Sequence, residues 1–299
     1  MQTLILLTLS FFLLFHSASA TALLPSGGGR VDTVERSGEV DTSNINPTRL
    51  AIVAGLSAGG FVVGHIILNN LWWKGEQSPF HFTWQDDWVY ALGADKLGHF
   101  YTPYVGTDIY RQAFEWTGMS ERGSLHWGAA LASGYTTYIE VRDGFSEEWG
   151  FSVWDFIANN LGVGWRVAEH YEPWLQNIRW KISFDPSDAY KRGAYSAIID
   201  DYESTYHWGS LNVNEMLPSE WQRWWPDWIN IAVGHSVKGV QAYDGSGNHE
   251  LYLSLDWNTE GLPGNGSFWN WLKGVANYYH LPAPAVRIAP NVVWYGLKL

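Results

Sequence analysis

Apolar residues recur at helical spacing in four successive segments of the first part of the chain. This spacing predicts helices at about Leu50–Trp73, Asp95–Trp116, Ser124–Val141 and Ser152–Glu169. Their short connections favour antiparallel neighbours, as in a helical bundle. The first segment is nearly long enough to span a bilayer, but a buried helix of a bundle explains it about as well, so both interpretations stay open.

The last third of the chain replaces helical spacing with alternation. Ile229–Val237 and Leu251–Trp257 alternate apolar and polar residues and are predicted strands, with a hairpin signal at 244–248 between them. Ala285–Leu299 is expected to supply a further strand, whereas Asp185–Tyr206 is predicted to form a charged, exposed helix. We therefore predict a mainly α fold: a helical bundle of about four core helices with a small β-containing C-terminal region.

The N-terminus has the pattern of a secretory signal. An apolar run over residues 4–15 precedes Ala18-Ser19-Ala20, an A-x-A-type cleavage site, so we predict a signal peptide over residues 1–20. No Lys or Arg precedes the apolar run, which leaves an uncleaved anchor as the alternative. We expect a flexible leader over 21–47, the bundle over 48–180 and a mixed α/β region over 181–299.

Composition narrows the class of protein. The 299 residues include 20 Trp, and charged residues make up only 16%, below the usual share of about a quarter. Abundant Trp suits a membrane interface, a sugar-binding surface or an apolar cleft. The net charge of −12 argues against a nucleic-acid partner. The sequence has no Cys, so we expect no disulfide, no thiolate metal site and no lipid-modified cysteine in it.

Ionisable and amide side chains interrupt three of the apolar helices. Asp95 and His99 lie four residues apart on one helix face, where they can form an ion pair or supply two metal ligands. Glu140 ends a narrow polar stripe on the third predicted helix, and Asp155 and Asn159 begin a polar ridge on the fourth. Because buried polar groups need partners, we expect these three places to meet in one sheltered cluster.

Each of these features also has a plain structural explanation. The pair on the second helix suits a wetted helix start, and Glu140 suits a charged helix end. Ser152 and Asp155 have capping-box spacing, in which Asp155 does no more than hold the end of its helix. A cap does not account for Asn159, which favours a ridge that faces the cluster.

The expected cluster offers three kinds of site. Candidate catalytic residues are His99, Glu140 and Asp155. Oxygen and imidazole donors suit a divalent metal such as Zn, Mn or Mg as cofactor, with candidate ligands Asp95, His99, Glu140 and Asp155. The candidate binding residues are Asp95, Lys96, His99, Glu140, Asp143, Ser152, Asp155 and Asn159.

These residues also carry a resemblance to a known family. The motifs are Asp95-Lys96-x-x-His99-Phe100, then Glu140-x-x-Asp143, then Gly150-x-Ser152-x-x-Asp155 with Asn159 and Gly162. They resemble the uncharacterised DUF2279 (YfiM-like) family of predicted periplasmic lipoproteins, over about Leu50 to the C-terminus. More distantly the pattern looks like the VanZ-like family, which is linked to glycopeptide-antibiotic resistance. The resemblance implies a location in the bacterial envelope and no assigned activity, and this sequence departs from the lipoprotein form because it has no lipobox Cys.

Three functions follow as hypotheses. In the leading one, an exported, periplasmic and membrane-associated protein uses the cluster to bind an envelope lipid or glycan headgroup. In the second, the protein is a metal-dependent or acid/base envelope hydrolase that uses His99 and Glu140. In the third, the cluster only locks the helices and the protein docks on an envelope partner. The sequence does not decide whether the chain is an enzyme, and it names no protein partner.

Overall fold

The computed structural model describes residues 44–84, 87–240 and 244–299. The predicted signal peptide, residues 1–20, and most of the predicted leader lie outside these ranges. The domain boundaries predicted above stay predictions.

All four helices predicted from apolar spacing are present. They are α1 (Pro47–Leu71), α2 (Asp95–Trp116), α3 (Glu121–Asp143) and α4 (Val153–Tyr171). Side-chain caps fix where three of them begin, because Asn46, Ser120 and Ser152 each accept a hydrogen bond from the backbone three residues later. Helix α2 packs against both α3 and α4, which also pack against each other.

Helices α2 and α4 approach each other closely at one glycine. An added Cβ at Gly162 would overlap the backbone carbonyl oxygen of Phe100. On the same face of α4, one turn before this glycine, lies Asn159, and one turn after it lies Arg166. The glycine therefore lets the polar ridge of α4 reach the polar residues of α2.

Helix α1 differs from the other three because most of its residues are exposed. Only 6% of its apolar window is buried, and by length and composition it is able to cross a membrane. Its contacts with the rest of the fold are few: Val53 packs on Ala113 and Phe114, and further along the helix Phe61 and His65 contact Tyr138 of α3. The structure thus rules against the interpretation of α1 as a buried core helix.

A six-stranded antiparallel sheet fills the C-terminal half, which shows that the prediction of a mainly α helical bundle is wrong. A short parallel pair comes first, β1 (Phe82–Thr83) with β2 (Phe151–Ser152). The large sheet runs in sequence order through β3 (Ile178–Phe184), β4 (Thr205–Leu211), β5 (Ile229–Lys238), β6 (Asn248–Trp257), β7 (Ala283–Ala289) and β8 (Val293–Lys298). Short helices interrupt it: α5 (Asp188–Lys191), α6 (Val213–Met216), α7 (Ser219–Gln222) and α8 (Ser267–Ala276).

The error has a physical reason. Strands β5 and β6 pair as the predicted hairpin, and the predicted last strand is a pair, β7 and β8. The sequence did not predict strands β3 and β4. The helix predicted over Asp185–Tyr206 is replaced by the single α-helical turn α5 and two short 3-10 turns before β4 begins. In β4 the alternation places Tyr206, Trp208 and Ser210 inside, so the strand shows no purely apolar buried face. A pattern that expects apolar residues inside does not recognise such a strand.

An aromatic layer joins the helices to the sheet. The ring of Trp180 in β3 lies 5.1 Å from that of Phe100 and 5.4 Å from that of Trp165. The hydroxyl of Tyr101 donates a 2.5 Å hydrogen bond to the backbone carbonyl of Tyr278. Helix α2 is therefore held on both sides, by α3 and α4 and by the sheet, and its polar residues have fixed positions.

The close approach at Gly162 yields a first prediction. Gly162→Ala is expected to destabilise the protein by about 1–3 kcal/mol, because the new methyl group overpacks the α2–α4 contact. Gly164→Ala is the matched control: nothing lies near its Cβ position, so it is expected to stabilise α4 by about 0.5–1 kcal/mol. Urea unfolding of both variants measures the difference, and equal effects would contradict the close approach.

Candidate functional site

Three helix ends and one loop meet at a single polar junction. Asp95, Lys96 and His99 come from the first turns of α2, and Glu140 comes from the last turn of α3. The first turns of α4 and its cap supply Ser152, Asp155 and Asn159. We call these residues, together with Asp87 from the preceding loop, the polar cluster. Most are buried to more than nine-tenths of their surface.

One half of the polar cluster is organised around a buried lysine. The Nζ atom of Lys96 lies 2.5 Å from Asp87 Oδ1, 2.7 Å from Asp95 Oδ2 and 2.8 Å from Asp155 Oδ1. The hydroxyl of Ser152 donates to Asp87 at 2.9 Å and accepts from the backbone N–H of Asp155 at 2.9 Å. The ammonium group thus already fills the space between these three aspartates.

The other half is organised around His99. Its Nδ1 lies 3.3 Å from Glu140 Oε1 and 3.3 Å from Asn159 Oδ1, and its Nε2 lies 3.8 Å from Asp155 Oδ1. The amide of Asn159 donates to Glu140 Oε1 at 2.9 Å. About 32% of the His99 side chain is exposed, against 2% for Glu140. The imidazole is therefore the part of the polar cluster that a ligand can reach from outside.

Negative charge exceeds positive charge inside the polar cluster. Four carboxyl groups, those of Asp87, Asp95, Glu140 and Asp155, share the space with Lys96 and His99. Burial and the Asp155 charge raise the pKa of Asp95 to about 6, and burial raises the pKa of Glu140. Within the described part of the chain, Asp95 Oδ1 is buried without a hydrogen-bond donor. The excess of carboxyl groups at the junction would therefore stabilise a further positive charge.

The same carboxyl groups act on His99 in the opposite sense. Burial by itself lowers the pKa of the imidazole, but Asp155 and Glu140 outweigh burial and raise the pKa to about 10. The imidazolium form is thus favoured as long as no other cation enters.

Asp143 lies at the edge of the polar cluster. It follows Glu140 by about one helical turn, and its Oδ1 accepts a 2.6 Å hydrogen bond from the indole of Trp73. Burial raises the pKa of Asp143 to about 7. Arg142 lies over the ring of Trp73, 5.1 Å from its centre. The hydrogen bond from Trp73 therefore fixes Asp143 at the edge of the polar cluster.

The structure brings all eight predicted binding residues to this junction, and it adds one that the sequence reasoning missed. Asp87 is the second residue of an acidic pair, Asp86-Asp87, in an aromatic loop. Its position against Lys96 depends on the path of that loop, which has no periodic signal. An acidic pair a short distance before a helix that begins with Asp95-Lys96 is the one sequence feature that points to it.

The positions of the donor atoms divide the four candidate metal ligands into two groups. One donor atom each from His99, Glu140 and Asp155 lie within 4.8 Å of one another. Asp87, Asp95 and Asp155 form a second such group, but Lys96 Nζ already lies among their oxygens. Of the predicted ligands, Asp95 thus lies only in the group that Lys96 Nζ occupies, and Asp155 is shared between the two groups. His99 and Glu140, with the shared Asp155, form the half that is able to hold a metal.

The segment that builds this junction is also the segment with known relatives. It runs from β1 to the last turn of α4. Residues 82–169 match the family model DUF2279, described as a predicted periplasmic lipoprotein. The match confirms the resemblance to DUF2279 and the predicted periplasmic location.

The comparisons stop at this segment. The wider resemblance, from about Leu50 to the C-terminus, and the distant resemblance to the VanZ-like family are not shown. Comparison with curated proteins and with solved structures returned no match. The six-stranded sheet therefore has to be understood from its own residues.

The raised pKa values give a prediction for stability. Unfolded Asp and His have pKa values of about 3.9 and about 6.5, whereas folded Asp95, Asp143 and His99 have values of about 6, 7 and 10. The folded state therefore binds more protons, and its stability is lost as pH rises: from about pH 4 to 7 for the aspartates and from about 6.5 to 10 for His99. We expect the Tm to fall between pH 5 and pH 9.

Asp95→Asn tests the assignment of this slope. The variant removes one group that titrates between about pH 4 and 6, so its Tm is expected to change less over that range than the Tm of the wild type. Asp227→Asn, at an exposed position, is the control and is expected to keep the wild-type slope. A slope that is unchanged in Asp95→Asn would contradict the titration of Asp95.

Proposed function

We propose that this periplasmic protein binds a divalent cation at His99, Glu140 and Asp155, and that the bound cation receives the polar headgroup of an envelope lipid or glycan. One observation carries the proposal: the four carboxyl groups of the polar cluster outnumber its two cationic side chains, and among the described residues Lys96 forms an ion pair with Asp155 but none with Glu140.

The donor set favours a metal over other cations. One imidazole and two carboxylates suit Zn, Mn or Mg, without choosing between them. A divalent ion between these groups would offset the negative charge that Glu140 and Asp155 bring into the interior. The Asn159 amide, which donates to Glu140, holds that carboxylate in place as an outer partner.

The opening at His99 supports a headgroup as the ligand. Carboxylates alone repel a phosphate group, but a cation held by them presents positive charge and open coordination positions at the exposed side. Two exposed indoles, Trp88 and Trp154, lie 5.6 Å apart and directly precede or follow cluster residues in the chain. Indoles beside a polar site are typical of membrane interfaces and of sugar-binding surfaces.

An acid/base hydrolase is the second candidate, and the environment of His99 favours it. The imidazole is partly exposed and lies between two carboxyl groups, as a proton-transfer group requires. Its raised pKa makes it a better general acid than a general base at neutral pH. In this reading His99 would protonate a leaving group, and Asp155 or Glu140 would activate water.

Metal titration tests the first candidate. The detergent-solubilised full chain is titrated with Zn²⁺, Mn²⁺ and Mg²⁺ by calorimetry, and at least one is expected to bind. His99→Ala is expected to weaken that binding at least tenfold, about 1.4 kcal/mol, because it removes one of three donors. His126→Ala is the matched control, since His126 is exposed on α3, and it should bind as the wild type does. Equal binding by both variants would sink the proposal.

A vesicle experiment separates the two candidates. Sedimentation with vesicles that contain phosphatidylglycerol is measured with the selected cation and with chelator. A cation-dependent increase that His99→Ala loses supports headgroup binding. Release of water-soluble phosphate or glycerol from the same vesicles by the wild type, lost in His99→Ala, would instead support the hydrolase.

A further inference from the structure

Part of the sheet exposes apolar side chains and buries polar ones, which is the reverse of the usual arrangement in water. In β6, residues Leu251, Leu253 and Leu255 are exposed by 39%, 44% and 41%, whereas the residues between them, Tyr252 and Ser254, are buried. Val233 in β5 and Trp294 in β8 are also exposed. We call the surface formed by the exposed side chains of β5 to β8 the outer face. Antiparallel sheets in water normally have the opposite arrangement, with apolar residues inside and polar residues outside.

The inner face combines a small aromatic core, which includes Trp208 and Tyr252, with hydrogen-bonded polar groups. Lys181 Nζ lies 2.7 Å from Asp256 Oδ2, and His280 Nδ1 lies 2.9 Å from Asp256 Oδ1. The hydroxyl of Tyr252 donates to Glu250, which also pairs with Arg287. These side chains have partners and therefore tolerate burial. The polar interior is thus a built feature of the sheet, not a local irregularity.

One inner group has the order of a catalytic triad but not its access. Ser254 Oγ lies 3.4 Å from His280 Nε2, whose ring also binds Asp256. All three residues are exposed by 3% or less, and the ring of Trp208 stacks on His280 at 3.8 Å. A substrate cannot reach the serine, so these residues support the interior and do not act as a hydrolase.

The charges decide what the outer face is suited to contact. Strands β5 to β8 contain five charged side chains, and each has an inner or loop partner: Lys238, Glu250, Asp256, Arg287 and Lys298. The outer face of these strands consequently carries no carboxylate, ammonium or guanidinium group. His235 and His249 also lie on this face, near the turn between β5 and β6, and their rings hydrogen-bond each other at 2.9 Å. The rest of the surface is uncharged and mainly apolar, which is complementary to hydrocarbon, and the same alternation is typical of strands that face lipid.

From this charge pattern we propose that the outer face lies on a lipid surface, with the side chains of β5 and β6 in contact with acyl chains. The face rests on the bilayer instead of crossing it, because the free edge of β8 has backbone groups that hydrocarbon would leave unpaired. Trp294, which is 81% exposed, and the stacked pair Trp228 and Trp257 are suited to the headgroup boundary.

Because the sequence has no Cys, a single cysteine can be introduced at a chosen position and labelled there alone. Val233→Cys and Leu253→Cys probe the outer face, and Arg192→Cys, at an exposed position after α5, is the control. Each full-length variant is labelled with an environment-sensitive fluorophore and added to phosphatidylethanolamine/phosphatidylglycerol vesicles in chelator. Quenching is measured with nitroxide on the acyl chains and with iodide in the water. Chelator keeps the result independent of the cation proposed above.

The expected result is quenching at 233 and 253 by acyl-chain nitroxide, at least threefold stronger than at 192, with iodide quenching only the label at 192. Iodide quenching at all three positions overturns the proposal, because the face would then lie in water. Protection from both quenchers at 233 and 253 also overturns it, because a second copy or a protein partner would then cover the face. Leu251→Cys and Leu255→Cys replace any variant whose circular dichroism departs from that of the wild type.

Discussion

The ammonium group of Lys96 is the interaction on which the functional half of this protein depends. It lies within 2.8 Å of one oxygen from each of Asp87, Asp95 and Asp155, which belong to a loop, to α2 and to α4. A charge buried without partners costs several kcal/mol, so removal of this one cation would leave three carboxyl groups to be neutralised or hydrated. The helix ends therefore meet where they do because the lysine and the aspartates need one another.

Close packing and charge act together at this junction. Gly162 lets α4 approach the backbone of α2 at Phe100, and that approach places Asn159 against Glu140 and His99. A bulkier residue would separate the helices and lengthen the distances from His99 to its acidic neighbours. The exposed edge of the imidazole is then the part of the polar cluster that an outside partner can reach.

The helical part of this arrangement was predictable for physical reasons. Spacing of 3.6 residues gave α2 and α4, and the ridge from Asp155 to Arg166 indicated which side of α4 faces a polar neighbour. The cost of burying lone polar groups gave the convergence of the three segments. The partner Asp87 could not be found in this way, because the loop that carries it repeats no pattern. The split into a lysine half and a histidine half depends on distances of a few ångströms, which spacing does not determine.

The sheet was predicted only where its alternation was easy to assign. Strands β5 and β6 alternate cleanly, so their existence was predictable, but which side is inside was not. An alternation of apolar and polar residues with a period of two shows that the two faces of a strand differ. Which of the two faces is buried depends on the surroundings of the sheet. The usual assumption, apolar inside, hid β3 and β4, whose inner residues include Lys181, Ser183 and Ser210.

Buried lysines occur in both the helical part and the sheet of this protein. Lysine is among the residues least often found fully buried, yet Lys96, Lys181, Lys273 and Lys298 are each exposed by 8% or less. In the same fold, the leucines of β6 and most of α1 are exposed. Water alone would favour the reverse on both counts. A chain that pairs its ammonium groups inside and presents apolar side chains outside is suited to surroundings that are partly hydrocarbon, which is the setting that we propose for the outer face.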